Sequence, residues 1–470
     1  MSRSHQPKRW RILGEDPAVE EALVRELDLH PVVARLLVQR GIATVEDAEL
    51  FLDPSLDRLH DPFLLPDAEA ACQRIKQALA ANEKIRIHGD YDSDGVTSAA
   101  IWARCLAALG ASVDVFVPHR RRDGYDMRVG FVDECRAAGV GLIITTDCGI
   151  QRCDEVERAR SYGIDVIVTD HHTPNVDGSL PRAVAVVNPH RHDSRYPFRD
   201  LAGAGVAFKL CEALTTALGK NRDGFRRGFL ELAAIGTITD VMPLVGENRI
   251  LVRHGLEALR NTRKPGLQAL IEVSGVGGRP LTTYDIGFGI GPRLNSASRI
   301  DETQYALDLL VTKDVEDAGA LARRLNELNA QRKEDMKRAQ DEAAEMLAQQ
   351  DITDARCLVV SSENWSPGIV GLVASRIVQR TNRPCVVIAI GETGIGKGSA
   401  RSIPGFNVFN AIDACKDLLT EYGGHAMAAG LAIDRDNLPD FTRQMARIAA
   451  EQLSAEDCVP TLTPAMEIDP

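Results

Sequence analysis

The chain has 470 residues, which is enough for about three domains of ~150 residues each. Charged residues make up 26% and hydrophobic residues 44% of the chain, and no apolar run approaches the ~20 residues of a membrane-spanning helix, so the composition predicts a globular cytoplasmic protein with no membrane contact. The net charge of −12 argues against a basic coat over the whole surface but leaves room for a local basic groove.

Five segments follow one another along the chain. Residues 1–64 carry apolar residues at helical spacing and predict a helical lead-in, after which short apolar strands alternate with helices through a domain over residues 65–312. Residues 313–350 predict one long, solvated connecting helix, and residues 351–452 predict a second, smaller α/β domain. The tail, residues 453–470, begins a further strand. The predicted fold class is therefore α/β, with a parallel-sheet domain joined by a long helix to a smaller α/β domain.

The ten cysteines are scattered, and no C-x-x-C pair occurs. This spacing favours reduced thiols in a cytosol, with a cysteine-based zinc site as the weaker alternative. The N-terminal stretch has no apolar run that could serve as the core of a signal peptide.

The first acidic segment, IRIHGDYDSDG, starts as an apolar strand. It then places His88, Asp90, Asp92 and Asp94 at every second position. Alternate residues of an extended chain share one face, where three carboxylates would repel one another unless cations lay opposite. Gly89 and Gly95, which flank the three aspartates, also indicate a turn at the strand end, which weakens the one-face picture.

Three further segments bring similar side chains to predicted strand ends or turns. TTDCGI carries Asp147, VIVTDHH carries Asp170, His171 and His172, and GTITDVMP carries Asp240. In open parallel sheets, ligands bind beyond the carboxyl ends of the strands. We therefore expect these residues to meet at one site.

Carboxylate oxygens and imidazoles together suit Mn²⁺ or Mg²⁺, and the histidines favour Mn²⁺. Because there are more candidate ligands than one ion needs, a two-metal site with ions ~3.5–4 Å apart is plausible. Each motif alone has a simpler reading: a solvated D-x-D turn, a capping histidine pair at 171–172, or a helix cap at Asp240. The conjunction of all four favours the metal site.

The motif VTDHH is the signature of the DHH phosphoesterase superfamily, and the chain resembles its RecJ family of single-strand-specific 5′→3′ DNA exonucleases. The resemblance runs from about residue 10 to the C-terminus. RIHGDYDSDGVTS, TTDCGI, VIVTDHHTP and AAIGTITDVMPL resemble its four metal-site motifs, and LAGAGVAFKL and GFGIGPRLNSASRID resemble later landmarks. NWSPGIVGLVASRI, GKGSARSI and GGHAMAAG resemble the partner module called DHHA1.

The resemblance implies a two-metal hydrolase that releases 5′-mononucleotides from single-stranded DNA in repair and recombination. It implies a monomer, with single-strand-binding protein and a RecQ-like helicase as partners. Two rival functions stay open: a small-substrate phosphodiesterase acting on oligoribonucleotides, nucleotide bisphosphates or cyclic dinucleotides, and an inactive DNA-binding scaffold. The lead-in and long helix favour the exonuclease over the first, and the complete set of candidate ligands disfavours the second.

The resemblance also implies roles for individual residues. Asp147 would bridge two ions, Asp90 and Asp170 would orient ligands, and His172 would face the scissile phosphate and stabilise or protonate the leaving oxygen. The ligands of one ion would be His88, Asp92 and Asp147, and those of the other Asp94, Asp147, His171 and Asp240.

A second group of residues would hold the strand. The segment 423–425 predicts a tight turn that opens an apolar helix, whose N-terminus would favour an anion. GKGSARS suggests a backbone that a phosphate can approach. The candidate nucleic-acid and phosphate contacts are Arg120, Tyr125, Arg293, Arg299, Arg376, Ser399, Arg401, Gly423, Gly424 and His425.

Three departures from the family pattern stand out. Cys148 occupies the place of a usual asparagine, which replaces an amide near the metals by a thiol, and His119 replaces another asparagine in the loop before Tyr125. Family members usually continue into an OB-fold, a barrel that binds single strands. If it is lacking, we expect weaker DNA binding with an intact catalytic centre.

Overall fold

The computed structural model describes residues 8–14, 16–119, 122–124, 126–300, 303–349 and 354–466. The chain divides into two units. The larger unit contains residues 42–329 and the short segment 25–28, whereas the smaller unit contains residues from 330 onward, residues 29–41 and those up to 24. No helix among the described residues is long and apolar enough to cross a membrane.

The N-terminal part of the chain is mostly helical and contributes to both units. Its elements are β1 (Arg9–Trp10), α1 (Pro17–Leu27), α2 (Pro31–Val38) and α3 (Val45–Leu52). Thr44 starts α3, because its hydroxyl accepts a hydrogen bond from the amide of Asp47 at 3.1 Å. The predicted lead-in is thus divided between the two units.

The larger unit is built on a five-stranded parallel sheet with strand order β3-β2-β4-β5-β6. The chain leaves β2 for a neighbour on one side and then returns to a neighbour on the other, so a topological switch point lies between β2 and β4, where open α/β sheets bind ligands. The elements are α4 (Ala68–Ala80), β2 (Lys84–Gly89), α5 (Ser93–Ala108), β3 (Ser112–Phe116), α6 (Val129–Ala137), β4 (Leu142–Thr146), α7 (Cys153–Ser161), β5 (Asp165–Thr169) and β6 (Ala185–Val187).

Both faces of this sheet are buried, as is usual for parallel strands. On β4, Leu142 and Ile144 enter one apolar core, while Ile143 between them enters the other. The first core also contains residues of α5 and of further helices that follow the sheet, and the second contains residues of α6 and α7. These later elements are α8 (Gly203–Ala217), α9 (Arg222–Thr239), α10 (Gly246–Arg260), α11 (Pro265–Ser274), a π-helix (Asp285–Ile290), α12 (Gly291–Ile300) and α13 (Gln304–Val311).

The long helix α14 (Val315–Ala348) is less solvated than its charged sequence predicts. Ala322 and Leu325 pack in the core of the larger unit, and Ala339 and Ala343 pack in a core of the smaller unit. The prediction of a solvated connecting helix is therefore wrong in that respect. Small apolar residues at helical spacing give the helix a buried stripe that its charged residues conceal.

The smaller unit contains a mixed sheet in the order β10-β11-β9-β8-β7, in which only β7 and β8 are parallel among the described pairs. Two-residue β12 pairs in parallel with β1. A parallel-sheet α/β unit and a second α/β unit confirm the predicted fold class. The elements are β7 (Leu358–Ser362), α15 (Val370–Thr381), β8 (Cys385–Ile390), β9 (Ile395–Arg401), α16 (Val408–Asp413), β10 (Leu419–His425), β11 (Ala428–Asp434), α17 (Leu438–Gln452) and β12 (Thr461–Leu462).

The predicted helix after residues 423–425 is a strand, so that prediction is wrong. Gly423, Gly424 and His425 are the last residues of β10, and the chain then turns back into β11, where Leu431 and Ile433 are buried at alternate positions. This period of two is typical of a strand. A methyl on Gly398 of the neighbouring strand would lie 2.9 Å from Leu431 Cδ1, so glycine there lets the large side chain pack over the sheet.

Candidate metal centre

His88 is the last residue but one of β2, and it is buried and uncharged. Its ring packs edge-on against Phe131 at 4.6 Å, and its Nδ1 lies 3.5 Å from the sulfur of Cys148. Burial lowers the pKa of His88 to about 3, so the imidazole stays neutral, the form that binds metal. Cys148, whose pKa burial raises well above its usual value, is a neutral thiol next to a predicted ligand.

The chain turns directly from β2 into α5, and Asp92 starts that helix. Its Oδ1 accepts hydrogen bonds from the amides of Asp94 at 2.8 Å and Gly95 at 3.1 Å. Asp94 then lies in the first turn and accepts hydrogen bonds from the amides of Gly203 and Ala204, at 2.7 and 2.9 Å. The N-terminus of α8 thus fixes the Asp94 carboxylate within the larger unit.

Asp147 follows β4 in a left-handed conformation, with φ of 61°. Its Oδ1 lies 3.1 Å from Nε2 of His171, yet both buried atoms lack a hydrogen-bond partner among the residues that the structure describes. A methyl on Gly203 would lie 2.6 Å from this same Oδ1, so glycine at the start of α8 leaves room for the carboxylate. Buried polar atoms are rarely left unsatisfied in proteins, which indicates that a further group binds here.

Asp94 and Asp240 complete the surroundings of His171. The distances from His171 Nε2 are 3.9 Å to Asp94 Oδ2 and 3.6 Å to Asp240 Oδ2. Asp240 is the C-terminal cap of α9, so the sequence prediction of a strand end or turn is refined to a helix end. Burial and the charge of Asp240 raise the pKa of Asp94 to about 7, and burial and the charge of Asp92 raise that of Asp240 to about 7. Burial likewise raises the pKa of Asp147 well above its usual value.

Asp170 and His172 form a tight pair beside this cluster. Asp170 Oδ1 accepts hydrogen bonds from the amides of His171 and His172, at 2.7 and 3.0 Å, and lies 2.8 Å from His172 Nδ1. Burial opposes charge on both groups and is the largest single effect, but their hydrogen bond and the attraction of neighbouring opposite charges together outweigh it, which moves the pKa of Asp170 to about 2 and that of His172 to about 9. The geometry gives a cationic imidazolium whose Nδ1 is held by Asp170.

The cluster fits divalent cations. Crowded carboxylates with raised pKa values, a neutral imidazole and two unpaired buried atoms are what cations would stabilise. Asp90, predicted as a supporting residue, lies in one of the compact groups, whereas predicted ligand His88 lies in none. Among the described residues, the potential ligand atoms lie within 4.8 Å of one another in three groups: Asp94, His171 and Asp240; Asp147, His171 and His172; and Asp90, Asp92 and Asp147.

The predicted strand-holding residues differ in where they lie and in what they contact. Arg120 and Tyr125 lie outside the described residues. Arg293 is buried and donates hydrogen bonds to Asn326 Oδ1, Gly289 O and Val273 O, so its guanidinium supports the fold. Arg299 lies half-buried in α12.

The remaining predicted contacts belong to the smaller unit. Arg401 Nη1 donates a hydrogen bond to Ser399 Oγ at 2.8 Å. Gly371 lies beside both side chains, because a methyl on it would lie 3.0 Å from Arg401 Nη2 and 3.1 Å from Ser399 Oγ. These groups therefore lie next to the start of α15. Arg376 lies on α15, and His425 is exposed at the end of β10.

Sequence reasoning missed several residues that position this centre. Gly203 and Ala204 hold Asp94, Asn188 Nδ2 donates to His172 O at 2.9 Å, and His190 Nδ1 lies 2.5 Å from His171 O. The glycines of LAGAG were the available signal, because glycine permits close approach to another group.

Family models match both units. The model described as "DHH family, N-terminal domain" matches residues 84–237, and the "DHHA1 domain" model matches residues 354–451. The single-stranded-DNA-specific exonuclease RecJ of Dickeya dadantii is 39% identical over 444 residues, covering 91% of this chain and 76% of the relative. This chain belongs to the RecJ family.

Other RecJ proteins are similarly close. RecJ of Bacillus subtilis is 42% identical over 96% of this chain and 56% of its own length. The crystal structure of Thermus thermophilus RecJ with Mn²⁺ has a TM-score of 0.82 and 36% identity, covering 97% of this chain and 64% of that one. A Mg²⁺ complex from the same organism has a TM-score of 0.75 and 33% identity, covering 98% and 63%. The chain thus spans between half and two thirds of the length of these RecJ proteins.

Proposed function

We propose that the chain is a metal-dependent phosphodiesterase, a single-stranded-DNA-specific 5′→3′ exonuclease that releases 5′-mononucleotides in DNA repair and recombination. The observation that carries the proposal is the buried, unpaired Asp147 Oδ1 beside His171 Nε2, surrounded by carboxylates at the switch point of the sheet. The curated relatives named as single-stranded-DNA-specific exonucleases support the substrate.

Two divalent ions, Mn²⁺ in preference to Mg²⁺, would bind at this centre. The ions would acidify a water molecule and neutralise charge that develops on the phosphate. Asp147 would contact both. His88 and Asp92 would complete one set of ligands, and Asp94, His171 and Asp240 the other. The crystal structures of RecJ with Mn²⁺ and with Mg²⁺ support this choice of ions.

His172 would act as the proton donor. Its Nδ1 is held by Asp170, so the proton on Nε2 is the one that can reach a leaving oxygen. A pKa of about 9 keeps the imidazolium protonated near neutral pH, which stabilises negative charge on that oxygen. The Asp170 carboxylate orients the ring. It also accepts hydrogen bonds from the backbone amides of His171 and His172, which fixes the backbone that carries the ring.

Each unit has candidate groups for binding the strand. In the smaller unit, Arg376, Ser399 and Arg401 would bind phosphates, with Gly423, Gly424 and His425 at the end of β10. Arg120, Tyr125 and Arg299 would contribute from the larger unit. Arg293, whose guanidinium nitrogens all donate within the protein, would support that surface without touching phosphate.

The proposal also includes the cellular compartment, the oligomeric state and the protein partners. We place it in the cytoplasm as a monomer, with single-strand-binding protein and a RecQ-like helicase as partners. All ten of its cysteines, which lie in the described part of the chain, are free, as expected for a reducing compartment.

The test is digestion of 5′-labelled and 3′-labelled single-stranded DNA with Mn²⁺. The wild-type chain should release labelled mononucleotide early from the 5′-labelled strand and late from the 3′-labelled one, and Asp147→Ala should abolish both. Asp154→Asn, at an exposed position of α7, is the matched control and should retain activity. Cleavage of only di- or trinucleotides would support the small-substrate alternative, and binding without cleavage would support a scaffold.

A further inference from the structure

Tyr284 and Phe288 form an exposed aromatic pair. Each side chain is 69% exposed, and the two rings stack at 4.7 Å with an interplanar angle of 28°. Among the Phe, Tyr and Trp residues that the structure describes in the larger unit, the only other exposed one is Phe63, at 38%. Large aromatic surface held in water costs free energy, so a stacked pair of this kind indicates a contact surface.

The backbone beneath the rings is unusual and firmly anchored. Phe288 lies in the π-helix segment and Tyr284 directly precedes it, and single turns of π-helix are frequent at functional sites. The glycines between and after the rings face the protein, because a methyl on Gly287 would lie 3.9 Å from Ile238 and one on Gly289 would lie 3.3 Å from Val276. The rings therefore point outward on a backbone that packs closely against the larger unit.

Asp285 fixes the start of this segment. Its carboxylate receives both terminal nitrogens of Arg279, at 2.8 and 2.5 Å, and the amide and hydroxyl of Thr282, each at 2.8 Å. A bidentate guanidinium pair with two further hydrogen bonds fixes the segment geometrically. The aromatic pair is thus presented by a preorganised backbone.

The same segment is attached to the metal centre. Its last turn continues into α12, where a methyl on Gly291 would lie 2.4 Å from Thr239, the residue before Asp240. Ser93, next to Asp92, donates its hydroxyl to Gly291 O at 3.2 Å and its amide to Asn295 Oδ1 at 2.8 Å. Two of the four segments that supply the candidate ligands therefore support the helix that follows the aromatic pair.

We propose that Tyr284 and Phe288 form a base-stacking platform for a single-stranded nucleic acid, next to the metal centre. The inference rests on the proposed function and extends it by naming the residues that hold a base. Base–aromatic stacking tolerates every base, which suits an enzyme that degrades a strand of any sequence. In a duplex each base is already stacked and paired, so the platform also favours single strands.

The experiment combines ring removal with base removal. Binding is measured with 5′-phosphorylated, 3′-fluorescent oligonucleotides, each lacking the base at one position, with Ca²⁺ in place of Mn²⁺ to prevent turnover. For the wild type, loss of one particular base should weaken binding by about 5- to 150-fold, the range for one base stacked on an aromatic ring. Phe288→Ala should bind the intact strand that much more weakly, and loss of that same base should then cause no further weakening.

Two variants serve as controls. Phe288→Trp should restore the wild-type profile, because tryptophan also stacks. Phe63→Ala, which removes a ring elsewhere on the larger unit, should leave the profile unchanged, and thermal melts check that each variant is folded. The platform is refuted if Phe288→Ala and Tyr284→Ala keep the wild-type affinity and base-removal profile while the wild type cleaves single strands. If the wild type neither binds nor cleaves them, the proposed function itself fails.

Discussion

Replacing Gly203 by alanine tests the most crowded point of the metal centre. The added methyl would lie 2.6 Å from Asp147 Oδ1 and 2.7 Å from its Cβ and Cγ, whereas ordinary contacts begin at 3.4 Å. The carboxylate must therefore move by about 0.8 Å, while the Gly203 amide can still donate to Asp94. A displacement of about 1 Å in a catalytic group can cost ~100-fold, so we expect a 10- to 100-fold loss in kcat/KM and weaker Mn²⁺ binding.

The assay pairs this variant with another glycine-to-alanine change in a helix. Gly228 lies within α9, and a methyl there would meet nothing within 4 Å. Gly228→Ala should keep activity and gain about 0.5–1 kcal/mol of stability, because alanine favours helix. Calorimetry measures the Mn²⁺ affinity of each variant. Digestion of labelled single strands measures its turnover. If Gly203→Ala stays within twofold of the wild type in both, the crowding argument is wrong.

Three further outcomes are expected. His172→Gln should lower kcat by roughly 10²–10⁴-fold while calorimetry shows retained Mn²⁺ binding, and a loss of Mn²⁺ binding would contradict the proton-donor role. Glu247→Ala leaves the fully buried Lys209 ammonium without its countercharge, although it keeps its hydrogen bond to His60 O, and should cost about 3–5 kcal/mol in urea unfolding, which an unchanged midpoint would refute. Arg86 and the half-buried Asp114 form an ion pair that lowers the pKa of Asp114 despite partial burial, so the pair stabilises the fold above the ordinary carboxylate pKa and less as pH falls below it. Asp114→Asn should lower Tm at pH 7 and much less near pH 3, and an equal effect at both would refute the linkage.

The positions of the candidate ligands at strand ends could be predicted from sequence because parallel strands have their carboxyl ends at one edge of a sheet. Asp147 and the pair His171–His172 each follow a buried apolar strand, and strand order brings these ends together. The aspartates after β2 were harder to place, because the chain turns at once into a helix that Asp92 caps. The pattern of alternate residues on one face of an extended chain does not apply to these aspartates, because Asp94 already lies in the helix.

The supporting residues could not be predicted because their partners are distant in sequence. Gly203 meets Asp147 only after α8 packs against the sheet, and Arg293 finds acceptors from three separate positions of the larger unit. A motif shows that a residue type is required, but not whether it serves the ligand or the fold. For Arg293 the hydrogen bonds indicate the fold, and for Ser399 and Arg401 the absence of a side chain on Gly371 leaves room for their own polar groups beside α15.

Two residues at the metal centre have strained backbone conformations. Asp147 and Val241, which follows Asp240, both adopt left-handed conformations with φ of 61°. Such a conformation is rare for a β-branched residue like valine, and strained residues cost about 1–3 kcal/mol each. The backbone amide of Asp147 donates a hydrogen bond to Thr169 O at 3.0 Å, and that of Val241 donates one to Ile238 O at 3.2 Å, which hold the two conformations in place. Since Val241 is 84% exposed, its strained conformation does not improve the packing of its own side chain. We infer that the fold tolerates it because it keeps the preceding residue, Asp240, beside His171, with Oδ2 3.6 Å from Nε2.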